Sequence, residues 1–364
     1  MLMKKLKNLK REKQMSLKKV FISGITGQDG SNMCDYLLQN HDVEIFGGIR
    51  RISVKNYKNI KHLKDHPKIE LVNFDLSDPY SIRNAIENIK PDYFINFAAQ
   101  SFVQASWDFP IQTMTDNAVS ITHILESIRL FAPKCRFYNA GSSEEFGDVI
   151  SDMQDEDHPL RPQSPYGASK CAARHIVRVY RESYDLYAIQ GWLFNHEGSR
   201  RGTEFVTRKI SKNIAKFVYD LENGEDPENL ELGNLDALRD WTDSVDFMSG
   251  VWLMLNQKED PKEYVLASGK TYSIRTFLEE TLKHAKINFK KEGEGLEEKY
   301  YTSDGKLIIS INPIFYRHAE VKLLCGNPKK AEKELGWRRK VKFKQLVQKM
   351  FDSDYNFFKN RCTY

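Results

Sequence analysis

The chain has 364 residues, 29% of them charged, with a net charge of +5 and five cysteines. That length fits one large α/β unit with an added lobe, or two domains, and supports a sizeable core. No apolar run approaches the ~20 residues that cross a bilayer, and the first nineteen residues set eight basic side chains against Glu12 (+7), leaving −2 for a body with no basic excess for nucleic acid.

Residues 1–17 form a basic tail with no apolar core behind it, so it reads as disordered and not as a secretory signal. A contact with phosphate or a membrane surface is the sharper alternative for its lysines. Met15 opens "MSLKKVFISG" and reads as a natural start, with the first fourteen residues dispensable. Cys34, Cys135, Cys171, Cys325 and Cys362 form no CxxC or Cys/His cluster. Neither a disulfide framework nor a metal site is expected, and a reducing cytoplasm is the simplest compartment.

From residue 18 short β-rich runs alternate with helical patterns. Strands are predicted at 18–24, 43–49, 69–76, 92–99, 135–141 and 187–195, and helices at 33–40, 117–130 and 170–184. Strands apolar on both faces and separated by helices indicate a doubly wound parallel α/β sheet, assigned to residues 18–195. From 196 to 364 the pattern loosens into a smaller mixed α/β lobe, with some strand exchange back to the first domain. Residues 286–306 read as a charged, glycine-containing connection.

"VFISGITGQDGSNM" places Gly24, Gly27 and Gly30 between the first strand and the first helix. Residues without side chains let the backbone approach a pyrophosphate at the helix N-terminus. An acid at the end of the second strand would bind a ribose hydroxyl. This chain has "GGIRRIS" there, and Arg50, Arg51 and Ser53 suit a 2′-phosphate, which favours NADP over NAD. Asp75 and Leu76 end the third strand, where an adenine contact is plausible. Ala98, Ala99 and Ser101, in "NFAAQS", keep the fourth strand end small enough for a cofactor to pass.

Tyr166 and Lys170 lie four apart in "SPYGASK" and share a helix face. A free phenol has a pKa of about 10, and a neighbouring ammonium favours its phenolate, bringing it into range for acid/base work. Upstream, "YNAGSSEEFGD" sets two glutamates side by side. In extended chain Ser142 and Glu144 face one way and Ser143 and Glu145 the other. Ser142 and Glu144 are therefore expected to face the cofactor, and Glu145 to be a solvated loop acid.

At this point the sequence resembles the GDP-mannose 4,6-dehydratases, a branch of the extended short-chain dehydrogenases. The similarity covers roughly residues 17–350 and rests on "GITGQDG", "RRIS", "NFAAQS", "SSE", "SPYGASK", "LFNHEGSRRGTEFVTRKI", "RDWTDSVDFMSGVWLML", "YVLASGKTYSIRTF" and "FYRHAEVKLLCGNPKKAEKELGW". The resemblance implies a lyase acting on a GDP-sugar. Tyr166, supported by Lys170, would take the 4-hydroxyl proton while NADP accepts hydrogen from C4. Glu144 would remove the C5 proton, water would leave from C6, and the stored hydride would return there. Ser142 would hydrogen-bond the 4-oxygen. Ser143 stands where relatives acting on dTDP-glucose have an aspartate, so Glu144 would serve as both base and acid. The resemblance adds Thr26, Gln28, Asp29, His196 and Arg201 as cofactor contacts. It adds Gln100, Asn195, Val206, Lys209, Arg239 and Arg317 as substrate contacts. A homodimer or homotetramer is the assembly it implies.

Four departures leave the sugar open. Ser142 replaces a usual threonine, Gln112 a common tyrosine and Glu145 a leucine, valine or methionine, and "RDWTDS" replaces a version with glycine and histidine after the tryptophan. They are expected close to the hexose or its walls, so GDP-N-acetylglucosamine and GDP-manno-heptose stand beside GDP-mannose. A nucleotide-sugar 4-epimerase is the competing enzyme, but it has no use for Glu144. A non-catalytic NADP-binding regulator is the competing reading from another class.

Overall fold

The computed structural model describes residues 17–54, 56–316 and 323–361. The tail expected over 1–17 therefore lies almost entirely outside the described residues, as does Arg317. Six strands follow the expected order: β1 Lys18–Ser23, β2 Val43–Ile49, β3 Ile69–Asn73, β4 Tyr93–Asn96, β5 Arg136–Ala140 and β6 Ala188–Leu193. Between them run α1 Gln28–Asn40, α2 Pro79–Ile89, α3 Ser120–Phe131 and α4 Pro165–Tyr184. The sheet has seven strands in the order β11 (Val265–Leu266), β6, β5, β4, β1, β2, β3, all paired in parallel. Its seventh strand, β11, comes from the second half of the chain, together with a helix, α6 (Ser244–Leu255), that packs on the sheet.

Alternation along the strands explains the two cores. Val20 and Ile22 face α1 and α6, against Met33, Leu37, Phe247 and Val251. Phe21, Phe94, Phe137 and Ala188 face α2, α3 and α4 in register across β1, β4, β5 and β6. Phe21 and Phe94 stack with ring centroids 4.7 Å apart. Starts are local: Asp78 caps α2 and Ser164 caps α4, each with proline in the first turn.

Two residues above the phenylalanine layer the same face turns polar. Ser23, Asn96, Asn139 and Gln190 stand opposite one another on four adjacent strands and are fully or almost fully buried. Ser23 Oγ bonds to Asn96, Asn96 Nδ2 donates to Asn139 at 2.7 Å, and Asn139 Nδ2 donates to Gln190 at 2.6 Å.

The remaining elements build a second layer. The strand expected over 187–195 stops at Leu193 and a separate β7, Asn195–Glu197, pairs with β10, Trp241–Asp243. Helices α5 (Val206–Glu222), α7 (Ile274–His284) and α8 (Phe343–Arg361) enclose a core of Ile210, Ile214, Trp241, Phe277 and Met350. Strands β13 (Phe289–Glu292), β14 (Lys299–Thr302) and β15 (Leu307–Ile311) join β8 (Leu230–Leu232) in a four-stranded sheet over it. The stretch expected as a charged connection at 286–306 is thus partly strand.

Removing a link from the polar row leaves buried partners unpaired. Asn139→Leu should cost about 2–4 kcal/mol of stability, read from urea unfolding; an unchanged midpoint would mean the row is not a structural tie.

Candidate active site

The carboxyl ends of β1, β4, β5 and β6 open onto one cleft of about 920 Å³. It lies at the switch point of the sheet, where strand order reverses between β1 and β4. At one end the chain turns from β1 into α1. Gly24 has φ +67, and a Cβ there would stand 2.9 Å from Ala98 N. A Cβ on Gly30 would stand 2.4 Å from the Gly24 carbonyl oxygen. Only glycine fits either position. Gly27 is the N-cap of α1 and offers no side-chain acceptor, so the first-turn amides of Gln28, Asp29 and Gly30 are left without a side-chain cap.

Most of the expected contacts gather here. Gly24, Thr26, Gly27, Gln28, Asp29, Gly30, Arg50, Asp75, Leu76, Ala98, Ala99, Gln100 and Ser101 all line the cleft, with Asn195, His196, Arg201 and Arg239 on the opposite lip. Arg51 and Ser53 are exposed outside the cleft wall, and Val206 and Lys209 also stand outside it. Val206 packs on the second core, and Lys209 donates to the Glu231 carbonyl at 2.8 Å with its ammonium 3.7 Å from the Phe315 ring. Asp29 and His196 are bonded to each other, His196 Nε2 to Asp29 Oδ2 at 2.9 Å, with His196 Nδ1 against the Phe194 carbonyl at 2.7 Å. Burial works against both charges, but the mutual attraction wins: Asp29 is held below its ordinary pKa and His196 above its own.

Three buried acceptors in the wall, Gln28 Oε1, Gln100 Oε1 and Asn195 Oδ1, have no hydrogen-bond partner among the described residues. Buried polar atoms of this kind call for a ligand. Together with the glycine cradle they fit a dinucleotide.

The other end of the cleft is chemical. Tyr166 and Lys170 are buried on the first turns of α4. Lys170 Nζ donates to the Ala140 carbonyl at 2.8 Å and lies 5.9 Å from the Tyr166 ring centroid. Burial pushes the Tyr166 phenol up; its bond with Ser142 pulls it down, and the charges of Glu144 and Glu145 push it up again. Burial lowers Lys170 to about 8, with Glu145 and Asp29 pulling the other way. Helix spacing predicts an ammonium that favours the phenolate; in the fold burial is the largest influence on Tyr166 and the phenol is raised.

Sequence reasoning misread the turn before this pair. Residues 143–145 are not extended but form one turn of 3-10 helix, Ser143–Glu145, capped by Ser142. Ser142, Ser143 and Glu144 line the cleft. Glu145 is not a solvated loop acid: it is 0% exposed and pairs with Arg174 at 2.5 Å. The signal was present, because Ser142 followed three residues later by Glu145 is the spacing of a capping box. Sequence reasoning also missed Asn117, which sits in a π-helical turn (Thr115–Val119). It holds Gln100 through two bonds of 2.9 Å and reaches Ser169 on α4 at 3.1 Å. Arg208, on the cleft wall and paired with buried Asp354 of α8 at 2.6 Å, was missed too.

Of the four departures only Ser142 lines the cleft; Glu145 stands directly behind that wall, bonded to the Ser142 N–H. Gln112 donates to Asp116 at 2.7 Å; Thr242 is buried, and Asp243 caps α6 and pairs with Lys349 at 2.6 Å.

A parallel doubly wound sheet, a glycine turn and a Tyr-x-x-x-Lys helix over one cleft define a short-chain dehydrogenase/reductase. Within that class, the chain belongs to the GDP-mannose 4,6-dehydratase family, whose model matches residues 21–350. It is 41% identical over 346 residues to the GDP-mannose 4,6 dehydratase of Drosophila melanogaster, covering 93% of this chain and 86% of that one. It is 38% identical over 358 residues to the GDP-mannose 4,6-dehydratase of Vibrio cholerae serotype O1, covering 93% and 94%. Among solved structures, a dTDP-glucose 4,6-dehydratase from Streptomyces venezuelae with NAD and TYD bound superposes with a TM-score of 0.76 at 20% identity, covering 95% and 98%. RMD from Pseudomonas aeruginosa complexed with NADPH gives 0.71 at 20%, covering 93% and 99%. Those likenesses carry the fold.

The Asp29–His196 pair is directly testable. His196 should titrate above its ordinary 6.5, so its ionic contribution is full below that pH and is lost as pH rises through the folded value. In Asp29→Asn the midpoint should fall, since burial and the charge of Arg201 then oppose only the bond to the Phe194 carbonyl; an unmoved imidazole titration by NMR would refute the pairing.

Proposed function

We infer that the chain is a GDP-sugar 4,6-dehydratase, a hydro-lyase that needs a nicotinamide cofactor but does not consume it. One observation carries this reading: Ser142, Glu144, Tyr166 and Lys170 meet in the wall of a cleft whose other end suits a dinucleotide. When bound, the nicotinamide supplies a two-electron acceptor that is restored within the same turnover. We propose NADP for that role, because Arg50 stands in the wall beyond β2 and no acid takes its place at that strand end.

The residues divide the remaining work. Tyr166 takes the proton of the sugar 4-hydroxyl, and Ser142 hydrogen-bonds the same oxygen as it becomes a carbonyl. Lys170, held on the Ala140 carbonyl, keeps positive charge near the phenol as it ionises. The 4-keto group acidifies the C5 hydrogen, and Glu144 removes it as a proton. The C6 hydroxyl then departs with the proton Glu144 has gained, so one water leaves and the carboxylate is regenerated; as C6 regains hydrogen, C5 takes up the proton that Tyr166 removed from O4, which restores the phenolate. Asn195 and Arg239 on the opposite lip suit the sugar and its diphosphate.

GDP-mannose is the favoured substrate. Of the departures that left the hexose open, all but Ser142 stand outside the cleft wall, and a serine keeps the hydroxyl a threonine would offer. Incubation with GDP-mannose, GDP-N-acetylglucosamine and GDP-manno-heptose should show the mass of one water lost from the first, with no cofactor consumed. No mass change with any of the three would sink the reading.

Two variants separate the roles. Glu144→Gln should still oxidise C4 yet eliminate at a rate reduced by roughly 100-fold or more, seen as a 4-keto sugar that retains its C6 hydroxyl; normal turnover would reassign the base. Arg50→Ala should weaken NADP by about 10-fold or more and leave NAD nearly unaffected. Equal loss for both cofactors would remove the argument for a 2′-phosphate.

A further inference from the structure

One carboxylate holds the 142–145 turn from behind. Glu145 Oε1 accepts from the Ser142 N–H at 2.7 Å, while the Ser142 hydroxyl accepts from the Glu144 N–H at 3.2 Å. The two ends of the turn therefore lock reciprocally. Glu145 Oε2 takes Arg174 Nε at 2.5 Å, and Gln190 Nε2 adds a bond of 3.2 Å to Oε1. Arg174 is 4% exposed. It donates onward to the Gln190 carbonyl at 2.6 Å and to Glu263 at 2.9 Å, and its guanidinium lies 3.4 Å from the Trp192 ring centroid. Space is tight as well: a Cβ on Gly141 would stand 2.7 Å from Glu145 Oε1 and 2.3 Å from the Gly191 carbonyl oxygen. Neither Glu145 nor Arg174 lines the cleft.

We propose that Glu145 is a positioning residue: clamped by Arg174, its carboxylate fixes the backbone of the 142–145 turn and with it the aim of Ser142 and Glu144. The consequence for catalysis rests on the functional reading above; the clamp itself does not. Two features make it more than core filling. The carboxylate reaches the main chain of the residue whose hydroxyl is directed at the substrate oxygen. Arg174 in turn spans three elements, α4, β6 and the segment before β11, so the turn is referenced to the sheet and not only to itself. A buried carboxylate is tolerable there because a guanidinium and an amide pair with it.

The test compares two double variants that each remove both charges. Glu145→Leu/Arg174→Leu deletes the acceptor for the Ser142 N–H. Glu145→Gln/Arg174→Leu restores a neutral one. Hydrogen exchange of peptides spanning Ser142 is followed in the protein alone, and kcat and KM are measured with GDP-mannose. In the leucine pair the Ser142 amide should exchange at least ~10-fold faster. Its kcat should fall about 10- to 100-fold with KM within about 2-fold of wild type. The glutamine pair should recover both protection and kcat. If the leucine pair does not fold, Glu145→Met/Arg174→Leu, closer in shape to the native chain, takes its place. Wild-type kcat and protection in the variant without an acceptor would overturn the proposal. So would a glutamine pair that folds equally well yet recovers nothing. If the wild type dehydrates no GDP-hexose, the functional reading fails and amide exchange alone decides the clamp.

Discussion

A single buried row of polar side chains fixes where chemistry can occur in this molecule. Ser23, Asn96, Asn139 and Gln190 stand in register on four parallel strands, one layer above Phe21, Phe94, Phe137 and Ala188. The phenylalanine layer is apolar burial, non-directional and tolerant of small shifts. The polar layer is not tolerant, since each amide needs its neighbour at hydrogen-bond distance. It therefore sets the relative height of the strands at their carboxyl ends. The cleft lies just beyond, and the loops that build it leave from strands whose ends are tied together.

From that row the ties continue without a break into the site. Gln190 bonds to Glu145, Glu145 to Ser142 N–H and Arg174, and Gln190 again to the Lys170 carbonyl. On the other side Asn117 braces Gln100 against Ser169. Both arms proposed to be catalytic, the 142–145 turn and the first turns of α4, are thus referenced to the same sheet. Preorganisation of this kind is what the proposed proton transfers at C5 and O4 require, because errors of an ångström at the reacting atoms are costly.

Much of this was legible in the sequence, for identifiable reasons. Val20, Phe21 and Ile22 announce a strand buried on both faces, and Gly24, Gly27 and Gly30 announce a turn whose backbone must pass close to a ligand. Tyr166 and Lys170 share a helix face by spacing alone. The failures are equally physical. Strict alternation across Ser142–Glu145 points Glu145 to solvent, but the chain has already left the strand there, and Arg174, 29 residues away, holds the carboxylate inside. Lys209 and Val206 sit in a motif that reads as substrate contact; what holds them in the fold is Glu231 and Phe315 for the first and the second core for the other, partners that no local pattern reveals. Gln112 and Asp243 looked like changes in the sugar pocket because position in a motif does not say which way a side chain is spent.

In the proposed reaction one hydrogen, taken from C4, is returned to C6 of the same sugar, while the C5 hydrogen removed by Glu144 is replaced by another proton. The direct measurement is turnover of GDP-mannose deuterated at C4 in ordinary water, with the product read by NMR. The label should appear at C6 of a 4-keto-6-deoxy sugar. Label that stays at C4, as in an epimerisation, or that is lost to solvent would contradict it.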